Sequence, residues 1–321
     1  MLSLLAHEGS LQPHDLPWAW NLDPVLLLGL VGAAWAYARG RRRPTDTRGR
    51  QRAFAGALAA LAVALVSPLE ALSGVLASAH MVQHVLLVVV AAPLLAWSAP
   101  GAAVLRGLPP RLRAWNRAVR VGAGLDAGRL RATRAPVVRW LAYVVVLWLW
   151  HAAALYGAAV EHEPVHVLEH VTFLGTAWLV WSVILGPARV RVSPGLGLLG
   201  VFALALQGVF LSALLTFART PWYELYVQAA PAWGVDALED QQLAGVVMWV
   251  PAGLVHVAIG IALLAAWLRD VEADGRAPAE PAWDEGPCTA WSARSTVRPE
   301  APVDGPTVAG ATSPTAGGQP T

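Results

Sequence analysis

Residues 73–97 read SGVLASAHMVQHVLLVVVAAPLLAW. The run contains no Asp, Glu, Lys or Arg. As a helix rising 1.5 Å per residue it is long enough for the roughly 30 Å hydrocarbon core of a bilayer. It also carries His80 and His84, four residues apart, so two imidazoles share one helix face one turn apart. An apolar span with paired ligand-type side chains decides both the fold class and where chemistry is to be sought.

Outward from this run, six more apolar blocks follow the same pattern. The spans are expected at about Trp18–Tyr37, Ala53–Leu69, Ser73–Trp97, Val137–Val160, Val165–Gly186, Gly195–Phe217 and Gln242–Leu268. Each must be helical, because lipid offers no partner to an unpaired backbone amide. The fold class is therefore all-α, a polytopic membrane protein of about seven transmembrane helices. Over 321 residues, hydrophobic side chains make up 56% and charged ones 14%. A soluble domain carries roughly a quarter charged residues, so an ordinary soluble enzyme and a disordered chain are both disfavoured. No basic leader with a nearby cleavage site opens the sequence, so no signal peptide is expected.

Orientation follows from arginine, which supplies all 23 basic residues. Seven lie in the first loop, from Arg39 to Arg52, and eight between Arg106 and Arg134. Arg189 and Arg191 lie in the loop after span five, whereas the alternate loops hold only Arg219. Positive charge stays on the cytoplasmic side, which sets the N-terminus outside and the C-terminus inside. Residues 1–17 are then an external segment, 18–270 the seven-helix domain, and 271–321, rich in Pro, Ala, Gly and Thr, a disordered cytoplasmic tail. The Arg106–Arg134 loop reads first as a topology anchor and second as an amphipathic interfacial helix. Clustered beside spans, the arginines indicate topology and do not imply nucleic acid.

Eight of the nine histidines fall outside the membrane or in its outer half on this topology, His256 being the exception. His80 and His84 open span three. His162, His166 and His170 repeat at four-residue intervals at the start of span five. His151 sits roughly 14 Å from the outer end of a continuous span four, counted along the helix. Two such helices side by side can offer four or five imidazoles to one ion. Glu169, an ionisable group inside an apolar span, is expected to orient a ligand imidazole. The sole cysteine, Cys288, lies in the tail, so a thiolate centre is excluded. Imidazole suits zinc, copper, iron and nickel, while a thioether draws the choice toward Cu(I). Met248 is the better thioether candidate, because Met81 points about 100° away from His80. Asp240 reads as the N-cap of span seven, followed by Gln241 and Gln242. Pro251 marks a place where that helix passes a cavity.

Three motifs, in order, resemble one family. They are His80-Met-Val-Gln-His84 with Ala92-Pro93-Leu94-Leu95, then Trp150-His151 with His166-Val-Leu-Glu-His170. The third is Asp240-Gln-Gln-Leu-Ala-Gly245-Val-Val-Met248-Trp249-Val-Pro251. The pattern is similar to the CtaG-like (caa-type) cytochrome c oxidase assembly factors. The resemblance implies a non-enzymatic, multi-pass protein of the bacterial plasma (inner) membrane that handles copper for a haem–copper oxidase. Its partners would be an oxidase subunit, membrane lipid and, further, another copper chaperone. Carried to this chain, His80, His84, His151, His166 and His170 are the metal-site positions, with His162 and Met248 as outlying members. Glu169, Asp240, Gln241 and Gln242 are supporting positions. The expected cargo is Cu(I). A haem-binding cytochrome, a copper permease and a metal-free scaffold are the rival readings; the apolar inner halves of the spans disfavour a permease.

Overall fold

The computed structural model describes residues 11–41, 48–122, 135–188 and 190–275. Among these, every regular element is helical. Helix α1 spans Pro24–Gly40 and α2 Arg48–Leu65. A short α3, Leu69–Ser73, precedes the long α4, Ala77–Ser98. Then come α5 (Gly101–Gly107), α6 (Pro110–Gly122), α7 (Pro136–Trp150) and α8 (Ala153–Glu161). They are followed by α9 (Glu163–Leu185), α10 (Pro194–Thr216), α11 (Leu225–Ala229) and α12 (Ala237–Gly275). Four helices, α4, α9, α10 and α12, are long and apolar enough to cross a membrane alone, and α7 with α8 makes a fifth if the bent pair is one span. The other two expected spans are weaker: α1 is apolar but has only 17 residues, and α2 opens with Arg48, Arg50 and Arg52.

Local sequence sets the helix ends. Prolines stand in the first turn of α1, α7, α9 and α10, where their missing N–H costs nothing. The Asp23 carboxylate accepts from the amide of Leu26 at 2.7 Å and caps α1. Inside α4, Pro93 cannot donate to the carbonyl of Val89, and residues Leu86–Ala91 widen into π geometry just before it. Trp181 of α9 donates its indole N–H to the Val88 carbonyl within that widened turn, at 3.0 Å.

Two expectations change. Span four is not one straight helix: α7 and α8 meet at a 76° bend across His151 and Ala152. The depth counted for His151 along a continuous span therefore fails, and this histidine sits at a corner. The second change concerns the basic loop. The α6 part of it is a helix with no buried residue, Leu112, Trp115 and Val119 on one face and Arg113, Arg117 and Arg120 opposite. The described part of the loop thus has the amphipathic helix of the second reading, and its arginines can still anchor the topology as in the first.

Helices α4 and α9 pack together at the centre, with α2 against α4, and α7 and α10 against α9. Their shared core includes Leu87, Ala91, Phe173, Ala177, Trp181 and Leu204. Small residues bring other backbones close. A Cβ on Gly107 would lie 1.8 Å from the Ala36 carbonyl oxygen, and one on Gly40 1.8 Å from that of Ala103. That contact holds α1 against α5, as small residues do between membrane helices. Large side chains such as Leu199, Phe202, Leu254, Val257 and Ile261 point outward along α10 and α12. So much outward apolar surface is a liability in water and normal in lipid. The protein is a membrane protein on this count. Residues 1–10, most of the proposed external segment, and 276–321, most of the proposed tail, lie outside the described residues, as does His7.

Candidate metal centre

Helix α4 carries His80 and His84 inward, and α9 carries His166, Glu169 and His170 to meet them. His80 and Glu169 are fully buried. The Glu169 carboxylate lies between the two α4 imidazoles, with Oε2 3.5 Å from His80 Nε2 and Oε1 3.5 Å from His84 Nε2. His80 and His84 stand edge to face with ring centroids 4.3 Å apart. His166 and His170 follow at 4.2 Å from each other. His166 is 5.3 Å from His80, and His170 is 5.8 Å from His84. Two donor groups result, His80–His84–Glu169 and His166–Glu169–His170, each with ligand atoms within 4.8 Å of one another.

The polar atoms of this cluster are buried and short of partners. Among the described residues, both nitrogens of His80 and His84, both oxygens of Glu169, and Nε2 of His166 and of His170 have no hydrogen-bond partner. A buried polar group without one costs a few kcal/mol, and a buried charge more. At 3.5 Å the His–Glu contacts are too long for strong hydrogen bonds. They match instead the roughly 3.4 Å between two donors that sit about 2.1 Å from one tetrahedral ion. The donor set therefore fits a bound metal ion. Glu169, expected to stand behind a ligand, is itself at the centre and shared by both groups.

Neighbouring elements fix the cluster. Gln83, one position before His84, is fully buried and donates to the Ala64 carbonyl at 2.8 Å and to the Glu70 carboxylate. The other Glu70 oxygen is 3.4 Å from His166 Nδ1. Burial raises the Glu70 carboxyl to about 7, partly offset by the Gln83 amide and by His80. On the opposite side, Tyr156 of α8 lies 4.8 Å from His80 and stacks on Tyr223 at 3.8 Å. The Tyr226 hydroxyl donates to the Ser73 carbonyl at 2.9 Å, so the 3.1 Å contact between the hydroxyls of Tyr156 and Tyr226 is donated by Tyr156. Tyr223 donates to the His151 carbonyl at 3.2 Å and pins the bend between α7 and α8. A groove of about 380 Å³, bordered by Asp23, Glu70 and Glu163, reaches His166 and His170 between α1, α3 and α9.

The other expected residues lie apart from these two groups. His162 is the exposed residue preceding α9. His151 is buried with its ring centroid 6.1 Å from that of His84, and faces a separate small cavity. Met248 lines the same cavity, as does Met81, which sequence had set aside. Asp240 does not cap its own helix. Asp236 does, accepting from Leu238 N at 2.8 Å. Asp240 lies one turn further on and caps α4, accepting from Ala77 N at 2.5 Å, from Ser78 N at 3.3 Å and from the Ser78 hydroxyl. Gln241 accepts from Trp222 N at 2.6 Å, and Gln242 donates to the Ala218 carbonyl at 3.1 Å. Both glutamines fasten the loop that carries Tyr223 and Tyr226. Glu70 and Gln83 were missed as site residues. Gln83 stood three residues from His80 on its face, and Glu70 is the one acidic residue between spans two and three.

The family described as cytochrome c oxidase caa3 assembly factor matches residues 33–270, which hold every member of the histidine–glutamate cluster. The chain belongs to this family. No curated protein and no solved structure matches it. Membership in the caa3 assembly factor family points to a role in cytochrome c oxidase assembly. The matched span also includes α4, α9 and the Asp240-Gln241-Gln242 segment, which caps α4 and fastens the tyrosine-bearing loop.

Proposed function

We propose that this caa3 assembly factor is a seven-span protein of the bacterial plasma membrane, with its N-terminus outside and a cytoplasmic tail at 271–321. It takes up copper as cargo on the outer side and passes it to a subunit of a haem–copper cytochrome c oxidase. It receives the ion free or from another copper chaperone. The reading rests on Glu169, fully buried between His80 and His84 with no hydrogen bond to either oxygen. A carboxylate in that setting is expected to be paired with a cation. The acid-bordered groove beside His166 and His170 gives an ion a way in, and the two donor groups sharing Glu169 give it two adjacent places to rest. Ligand exchange between such places suits a carrier better than a closed four-ligand site. The arginine bias of the loops supports the orientation, and α1 and α2 complete the seven spans.

The test is metal content and the optical spectrum of detergent-purified protein, for wild type, Glu169→Gln and the His80→Ala/His84→Ala pair. Bound copper in wild type, reduced in both variants, is the expected result, with lower copper in the oxidase assembled in cells carrying them. Copper undiminished in Glu169→Gln would overturn the site, and a Soret band would replace the reading with a haem protein.

A further inference from the structure

Below the carboxylate cluster, on the far side of His84, lies a cavity of about 40 Å³. That is room for a monatomic ion or a few waters. Most of its wall is apolar, but four side chains on it are ligands by type: His151, His256, Met81 and Met248. His84 lines it too and so borders both this cavity and the Glu169 site.

The two imidazoles are set by their own backbones. His151 Nδ1 is 2.7 Å from the Leu147 carbonyl, and His256 Nδ1 is 2.6 Å from that of Ala252. A carbonyl only accepts, so in the neutral rings Nδ1 holds the proton and Nε2 presents a bare lone pair. On His151, at the corner between α7 and α8 and 4% exposed, that Nε2 is buried with no partner. A carbonyl bond to the remote nitrogen is the arrangement that orients metal-bound histidines. The thioethers come from two helices: Met81 is 1% exposed on α4, and Met248 packs on α12. Among the described residues, no carboxylate lines this cavity.

We propose that this cavity is a second cation site, distinct from the Glu169 cluster and selective for a soft monovalent ion. His151 supplies the anchoring imidazole, with Met81 and Met248 as thioether donors and His84 shared with the harder site. Imidazole with thioether and without carboxylate favours a Cu(I)-type ion over zinc or a hard divalent ion, whereas the Glu169 groups suit a borderline divalent ion. The chain thus offers two donor environments of different softness, joined at His84. The inference builds on the copper reading, but the cavity's chemistry stands on its own residues.

The experiment uses full-length protein in detergent with Ag(I), a redox-inert soft monovalent ion, and Co(II) as the divalent probe. X-ray absorption of the Ag(I)-loaded wild type is expected to show sulfur together with nitrogen scatterers. Met248→Leu and His151→Gln, alone and combined, are expected to weaken Ag(I) binding by at least about tenfold each, leaving Co(II) uptake unchanged. Glu169→Gln is expected to do the reverse. Met248→Leu conserves volume, so it separates lost ligation from lost folding. Nitrogen-only scattering, or Ag(I) affinity that falls in Glu169→Gln and not in Met248→Leu, would overturn the second site. Wild-type protein that takes up Ag(I) but no copper would overturn the copper reading alone.

Discussion

Replacing Asp240 tests how the site-bearing helix is held. Its carboxylate, 2% exposed, accepts from the amides of Ala77 and Ser78 and from the Ser78 hydroxyl, across 163 positions of sequence. These are orphan first-turn donors of α4, three residues ahead of His80. Asp240→Ala leaves two backbone N–H groups without partners in a buried place. Each such donor costs about 1–3 kcal/mol, while the Ser78 hydroxyl can rotate to another acceptor. The sum is a loss of about 2–6 kcal/mol, beyond the roughly 1 kcal/mol of an ordinary exposed cap. Asp240→Asn keeps one acceptor oxygen and no charge, and is expected to lose about half as much. The assay is thermal unfolding in micelles followed by circular dichroism, with metal uptake measured in parallel. The expected order of stability is wild type, Asn, Ala, with uptake falling in the same order because His80 and His84 ride on the uncapped helix. Asp240→Ala within about 1 kcal/mol of wild type, or Asn worse than Ala, would refute the capping argument.

Three further outcomes are expected. Gly107→Val places a side chain where even a Cβ meets the Ala36 carbonyl at 1.8 Å, so α1 should part from α5 and become sensitive to protease, while Gly29→Ala, with open space around it, should be neutral. Trp181→Phe removes the donor to Val88 in the π turn and should cost about 1–2 kcal/mol in unfolding experiments, with metal content unchanged. Because imidazoles bind metal only when unprotonated, loading of the purified protein should be complete near neutral pH and fall on acidification, an effect read by metal content after equilibration across a pH series.

The helical class was legible because lipid leaves a spanning backbone no alternative, and the apolar runs state their own lengths. The His80/His84 and His166/His170 pairs were legible for a similar reason: helical period is a local property, and spacing of four puts side chains on one face whatever the surroundings. The resemblance then identified the family, and the match over residues 33–270 bears it out.

What sequence could not settle was everything that depends on which helix lies beside which. Glu169 looked like support for a ligand until α4 set His80 and His84 on either side of it. Asp240 looked like a local cap, since capping signals are read within one turn, but its carboxylate serves a helix far away in sequence. Met81 was set aside for pointing away from His80 on its own helix; only the arrival of α12 and the corner at His151 gave that direction a cavity to face. Periodicity is written residue by residue, so sequence alone determined the helices and their histidine faces. Partnership between helices is set by packing, so the tertiary structure decided which carboxylate, which imidazoles and which thioethers share a site.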